Sequence, residues 1–272
     1  MPTKLNYIVG AYSHGDSDIY FDPVLRIENA TSNKQTLALG YIRTFEAFGK
    51  SARIEVLQGW QKARWAGLLN GAPASTTREG LTDTAMRLSM NLIGAPPLRG
   101  EEFTRYRASR KTETILGASL AVQFPTGQYD DSKLLNIGGN RFVFQPQMGV
   151  LRNQGSWSFE TTLAALLFQE NSSFFNGNRL QQEPFYSIEG HATYSFSNGI
   201  WVSVGTGYGA GGRTQLNGIG NDDRRSQSGW GATVAYRLSN KTSIKATLRS
   251  TSTRATIGED NQILTIGINS FW

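Results

Sequence analysis

Along most of this chain apolar residues recur at every second position. Trp230, Ala232, Val234, Tyr236 and Leu238 share one face of a segment, and Gly231, Thr233, Ala235 and Arg237 share the other. Ile244, Ala246 and Leu248 oppose Lys245, Thr247 and Arg249, and Phe142, Phe144, Met148 and Val150 oppose Gln145, Gln147 and Gly149. A period of two is the side-chain period of a β-strand. The pattern divides the chain into about twelve strands of the length a tilted membrane strand needs. They cover residues 5–13, 34–47, 52–64, 82–93, 112–124, 141–152, 156–169, 184–196, 200–210, 227–238, 242–253 and 262–272. Two folds accept such strands. In a soluble sandwich the apolar face turns to a core; in a membrane barrel it turns to lipid and the polar face lines a lumen.

Alternation does not separate the two, but the connections do. Residues 48–51, 153–155, 197–199 and 239–241 are tight turns rich in Gly, Asn and Ser. The links between them are long and polar: 14–33, 66–81, 125–140, 171–183, 211–226 and 254–261. Short turns at one end and long loops at the other are the pattern of outer-membrane barrels, where the short turns are periplasmic. A sandwich has no reason to sort loops by parity. Residues 94–111 break the scheme, and residues 98–106 within them are expected to form a short helix at the periplasmic rim. An even strand number puts both termini on the periplasmic side. The expected fold is all-β: one closed antiparallel transmembrane β-barrel of about twelve strands, forming a single domain over residues 1–272.

Composition agrees. No stretch approaches the ~18 uninterrupted apolar residues of a spanning helix, and mean hydropathy is −0.36, yet a barrel dilutes its apolar residues with lumen residues. Thirty glycines and 11% aromatics favour strands, and the 18% charged residues fall below the ~25% usual in soluble domains. Without cysteine there is no thiolate or disulfide chemistry. The formal charge of +6 is dispersed along the chain, which argues against nucleic acid as a partner. Residues 262–272 read as a closing strand that ends on Phe271 and Trp272, with Leu264, Ile266 and Ile268 on the face of Trp272. That strand should pair with the first near Tyr7 and Val9, leave Trp272 at the periplasmic interface, and carry the signal for the outer-membrane assembly machinery. The residues after Met1 lack the apolar stretch of a secretion signal, as expected of a mature form from which the signal has been removed.

Three segments, residues 39–53, 80–98 and 125–149, resemble the meta-pathway phenol-degradation family of outer-membrane transporters. The third is the most specific, with Pro125, Thr126, Gly127 and Tyr129 followed by Asn136, Gly138, Asn140 and Arg141 in the family's order and spacing. The resemblance extends over nearly the whole chain. It implies an outer-membrane barrel that takes up small aromatic or other hydrophobic compounds, and it carries over no binding residues.

Other chemistry is weak. Gly207, Gly209 and Gly212 match a dinucleotide fingerprint, but a polar loop stands where the helix is required. These glycines are read as places of close approach. His191 lacks the serine two positions on that barrel phospholipases use, and no Gly-x-Ser-x-Gly elbow exists. His14, Asp16, Asp18 and Asp22, and separately Asp130 and Asp131, have the chemistry for a hard cation without the spacing of a calcium motif; solvated loop acids are the favoured reading. We therefore expect no catalytic residue, no cofactor and no metal.

Function is expected in the lumen. Alternation places Arg53, Glu55, Arg87, Gln123, Gln145, Gln147, Glu160, Glu189, His191, Arg237, Lys245 and Arg249 inward. Such a wall either lines a water path or closes on itself as salt bridges, and twelve strands fall between filled and open barrels. Residues 66–81 and 125–140 are candidates for a constriction, and Phe174 and Phe175 for admitting cargo. Trp157, Phe196, Trp201, Trp230, Tyr236 and Trp272 are expected at the membrane interfaces. The expected protein is a monomeric outer-membrane channel, with lipid and a small hydrophobic or aromatic solute as its partners. The alternative is a structural or adhesive barrel with a plugged lumen.

Overall fold

Residues 2–20 and 27–272 are described by a computed structural model. The elements are β1 (Asn6–Tyr20), β2 (Ile27–Ala47), β3 (Lys50–Leu69), β4 (Ala72–Leu81), β5 (Thr84–Ile93), the helix α1 (Gly100–Ser109) and β6 (Thr112–Phe124). They continue with β7 (Val143–Gln154), β8 (Trp157–Phe168), β9 (Asn171–Phe174), β10 (Asn178–Gln182) and β11 (Phe185–Ser195). The last are β12 (Ile200–Gly211), β13 (Thr214–Leu216), β14 (Ile219–Gly220), β15 (Arg225–Arg237), β16 (Thr242–Thr253) and β17 (Gly258–Phe271). Twelve strands close an antiparallel barrel in the order β2, β1, β17, β16, β15, β12, β11, β8, β7, β6, β5, β3 and back to β2. The first and last strands pair from Tyr7 with Phe271 to Tyr20 with Gly258, so no sheet edge is left at the seam.

The side chains are sorted inside out. Leu37, Leu39, Leu163 and Val204 are 57%, 61%, 55% and 62% exposed, while the buried apolar residues among those described are all alanines. Each large apolar side chain left in water forgoes about 1.5–3 kcal/mol. A continuous belt of them is stable only against hydrocarbon, so the protein resides in the bacterial outer membrane.

The strands outrun the apolar belt. At ~3.3 Å per residue, the 21 residues of β2 and 20 of β3 are about twice what a tilted membrane strand requires. Outward residues record the change: Leu37, Leu39 and Tyr41 give way to Gln35, Asn33 and Thr31 on β2, and Ile8 and Tyr12 to Asp16 and Asp18 on β1. Three expected loops are therefore wholly or partly strand. Residues 66–81 are the end of β3, a two-residue turn at Asn70 and Gly71, and β4, so they do not form a constriction. Residues 254–261 are half occupied by β17, and β1 and β2 occupy all of 14–33 except 21–26, with Asp22, which lie outside the described residues. On the extensions of β1 and β2 polar residues stand on both faces, because both faces meet water there. The remaining extracellular links are long: 125–142, 169–184 and 212–224. In the last two, the β9–β10 and β13–β14 hairpins join edge to edge as a four-stranded sheet. The link 94–111 contains α1, close to the expected helix.

Candidate functional site in the lumen

Directly paired residues on neighbouring strands point to the same side of the sheet. One inward row runs Ala11, Gly267, Lys245, Ala235, Trp201 and Ser195. Trp201 thus stands beside Ala235, which is 4% exposed, and opposite the outward Val202. It faces the lumen and not lipid, which corrects its expected interface position; its odd number already shared the parity of Ser203 and Gly205. Trp157, Phe196, Tyr236 and Trp272 point outward near the ends of their strands. Trp157 stacks on Phe159 and meets Tyr194 edge-on, which in turn meets Phe196. Trp230 also points outward but is the sixth of the thirteen residues of β15, so it is not at a strand end.

The same register puts Arg53, Glu55, Arg87, Gln123, Gln145, Gln147, Glu160, Glu189, His191, Arg237, Lys245 and Arg249 on the inward face. Only some of them pair. Glu55 holds Arg53 at 3.3 Å and Arg87 at 3.9 Å. His191 lies 3.6 Å from Glu189, and Ser119 donates to Gln147 at 3.0 Å. Gln145 stands across from Ala121, and Arg237 is at the periplasmic end, where its N–H bonds Gly199. Among the described residues, no carboxylate lies within ion-pair distance of Lys245 or Arg249, and no cation within that distance of Glu160. A cavity of about 340 Å³ lies between Arg53, Arg87, Gln147 and Glu160.

Glycines shape one wall. Gly205, Gly207 and Gly209 are successive inward residues of β12, and Gly229 and Gly231 continue them on β15. The side chains of β11 lean across this floor. A Cβ at Gly205 would collide with the His191 ring, one at Gly207 would lie 3.0 Å from Glu189 Cγ, and one at Gly209 would lie 2.6 Å from the Phe185 ring. The supposed dinucleotide fingerprint is thus part of a shallow trough, with β11 side chains on one bank and Lys245 and Arg249 on the other.

At the extracellular end, Asp83 fills the break between β4 and β5. Its carboxylate, 7% exposed, accepts the N–H groups of Gly127 and Gly139 at 2.8 Å each and Gln123 Nε2 at 3.1 Å. This anchors residues 125–142 to the inner wall. The contact needs bare backbone: a Cβ at Gly127 would lie 2.7 Å from Asp83 N, and one at Gly138 2.8 Å from Gly127 C. Asn171, 2% exposed, satisfies its whole amide. It accepts from Asn140 and the Ser173 N–H at 3.0 Å each, and donates to Tyr129 at 3.1 Å and the Gly139 carbonyl at 3.3 Å. Hydrogen bonds from Ser132 hold the Asp130 carboxyl below its usual range. Phe174 and Phe175 are half-buried around the β9–β10 hairpin.

Arg141 follows on the inward side. Its guanidinium lies 4.7 Å over the Phe168 ring and donates to Gln182, whose amide donates to the Gly212 carbonyl at the head of the trough. Burial draws Arg141 down to about 10, and the neighbouring charge of Arg225 acts in the same direction. Its Nη1 is buried without a hydrogen-bond partner. Lys34 and Glu259 pair at 3.0 Å on the same upper wall.

The periplasmic end is narrowed by the link 94–98. Ser51 bonds the Ala95 carbonyl at 3.0 Å, Glu113 accepts the Ala95 N–H at 3.1 Å, and Thr3 N–H reaches the Leu98 carbonyl at 2.9 Å. Glu113 also takes Tyr106 at 2.5 Å and Arg107 at 3.0 Å, which ties α1 to the wall. Burial, then the bond to Glu113, raises the Tyr106 hydroxyl.

Asp83, Asn171 and Glu113 had no signal in the alternation. Arg141 stood in the family motif without a role. Of the acids considered for a cation, His14 lies 3.2 Å from Asp16, which also accepts Asn33 at 2.7 Å. Among the described residues no three His, Cys, Asp or Glu side chains converge.

A closed twelve-stranded barrel with an apolar exterior and a polar lumen defines an outer-membrane β-barrel protein. The chain belongs to the family described as "Putative MetA-pathway of phenol degradation", matched over residues 28–262. No curated protein matches it in sequence. Among solved structures it is similar to an outer membrane channel from Pseudomonas putida F1, with a TM-score of 0.81 at 18% identity over 100% of this chain and 97% of that one. It also resembles the transport unit of the autotransporter AIDA-I from Escherichia coli, at TM-score 0.55 and 11% identity over 99% and 90% of the two chains. The β domain of the Bordetella autotransporter BrkA gives 0.54 and 11% over 99% and 100%. At these identities the likeness is one of fold.

Proposed function

We propose that this protein is a monomeric, passive outer-membrane channel for small hydrophobic or aromatic compounds, and that it transports without catalysing a reaction. The observation that supports transport most directly is the state of the lumen wall. A structural barrel would close on itself through paired charges, whereas among the described residues Lys245, Arg249 and Glu160 face the lumen without ion partners and space of about 340 Å³ remains beside Glu160. The cargo class is supported by the family, whose description names phenol degradation. In this reading the inward charged and amide residues line the route. The outward Trp157, Phe196, Tyr236 and Trp272 set the interfaces, and the closing strand β17 is what the assembly machinery engages.

Planar-bilayer recording and liposome uptake of small aromatics test this together. Discrete conductance with uptake of an aromatic alcohol is the expected result. Folded protein that gives neither would leave the plugged structural barrel, which the link 94–98 across the periplasmic mouth favours.

A further inference from the structure

The inward charges do not cancel. Glu55 is shared by two guanidiniums, Arg53 and Arg87, and Glu259 is taken by Lys34. Lys245 and Arg249 then remain on one bank of the glycine trough with no carboxylate among the described residues within ion-pair distance. At the head of the same trough Arg225 pairs in register with Gly211, and Arg141 is joined to Gly212 through Gln182. Among the described residues neither Arg141 nor Arg225 has a carboxylate within ion-pair distance. The charge of Arg225 acts on the buried Arg141 and also on Glu259, which Lys34 already holds; guanidiniums that repel and lose hydration bear a cost that a shared anion removes. Arg141 also keeps a buried Nη1 without a partner beside the Phe168 ring, and an unsatisfied buried donor marks a place where an acceptor fits. The guanidinium fork matches a carboxylate in plane.

We infer that Arg141 and Arg225 form an anion site at the extracellular head of the trough, and that the cargo it selects is an aromatic carboxylate. The carboxylate bridges the two guanidiniums. The ring lies against the Phe185, Glu189 and His191 side chains that cover the glycine floor, and passes Arg249 and Lys245 on the way down. The inference rests on the channel reading for the word cargo, but the site itself does not. It also reconciles a family linked to aromatic compounds with a lumen that is polar and cationic.

Binding and conduction are measured separately. Equilibrium dialysis of labelled benzoate and labelled benzyl alcohol against the folded, detergent-solubilised barrel tests the site. Benzoate should bind and the neutral alcohol should not. Arg225→Gln, which leaves the Arg141–Gln182 contact intact, should weaken benzoate at least about tenfold, the worth of one charged hydrogen bond. Arg141→Gln should do the same, and Arg141→Lys should recover only part because the fork is lost. Equal binding of benzoate and alcohol, or unchanged benzoate affinity in Arg225→Gln, overturns the site. In bilayers under a salt gradient the wild-type pore should prefer chloride over potassium, and benzoate should reduce the chloride current. A cation-selective pore overturns the cargo assignment. Benzoate binding without any conductance overturns the channel reading alone.

Discussion

Replacing Asp83 with Ala should detach residues 125–142 from the barrel wall while leaving the barrel closed. Three donors converge on the Asp83 carboxylate: Gly127 N–H and Gly139 N–H at 2.8 Å, and Gln123 Nε2 at 3.1 Å. A hydrogen bond to a charged acceptor contributes roughly 1.5–3 kcal/mol when shielded from water. Gly127 is half-buried and its bond is at the upper part of that range. Gly139 is exposed, so water recovers much of its bond. We expect a local loss of about 3 kcal/mol, which is a factor of more than ~10² in the opening equilibrium of this segment. Nothing in the barrel ladder depends on it, because β5 keeps its pairing with β3 and β6. Asp83→Asn should keep part of the anchor, because its carbonyl oxygen can still accept from Gly139 N–H and Gln123 Nε2 while its amide opposes only Gly127 N–H.

Hydrogen exchange read by mass spectrometry checks this. Peptides from 125–142 should exchange about a hundredfold faster in the variant, while peptides from β7 stay protected. Single-channel conductance should rise as the loop leaves the inner wall. Unchanged protection of 125–142, with the same three donors present, would show that the loop is held elsewhere, for example through Asn171, and would refute the anchoring role of Asp83.

Other consequences are checked by simpler means. Gly205→Val should push the His191 ring off the wall and into the lumen, lowering single-channel conductance in a barrel that still migrates as folded in semi-native electrophoresis. Ile266→Arg, on the lipid side between Tyr12 and Ala246, should cost about 2–4 kcal/mol of folding free energy in bilayers. Thr265→Arg, one residue away and inward, should be nearly neutral, and equal costs would contradict the assigned faces. Glu113→Ala strands the Ala95 N–H, Tyr106 and Arg107 at once. It should raise proteolytic cleavage between 94 and 111 without unfolding the barrel.

The strands were legible because each carries one stripe that must meet lipid. Residues 112–124 and 242–253 coincide with β6 and β16, where apolar and polar residues alternate to the ends. The reading failed where that contrast stops. Beyond the Gln35–Lys62 pair the outward stripe of β2 turns polar, and β3 continues as Ala63, Arg64, Trp65, Ala66, Gly67, Leu68 and Leu69 with no apolar–polar contrast between its faces, so nothing marked the strands' continuation, and residues 66–81 read as a loop. Lumen parity was equally plain, since a shift of one residue exchanges the faces. Trp201 was misassigned by weighing its residue type, amphipathic and near a turn, above its position in the alternation. Asp83 and Arg141 were invisible for another reason. Their partners come from segments 41 to 56 residues away in sequence, at Gly127 and Gly139 for one and Gln182 for the other, and only the folded barrel brings these together.

The two ends of the lumen are therefore held by different devices. At the extracellular end one carboxylate grips backbone amides of a loop, and the Arg–Gln–carbonyl relay from Arg141 ends on the glycine floor. At the periplasmic end Glu113 grips both a backbone amide and side chains of α1, with Thr3 joining from the chain start. In each case a buried acid satisfies donors from an irregular segment that a barrel wall has no spare groups to hold. Buried polar groups must be partnered, so irregular chain can lie inside such a barrel only where a wall residue supplies an acceptor. Asp83 and Glu113 supply them here, one near each end of the barrel.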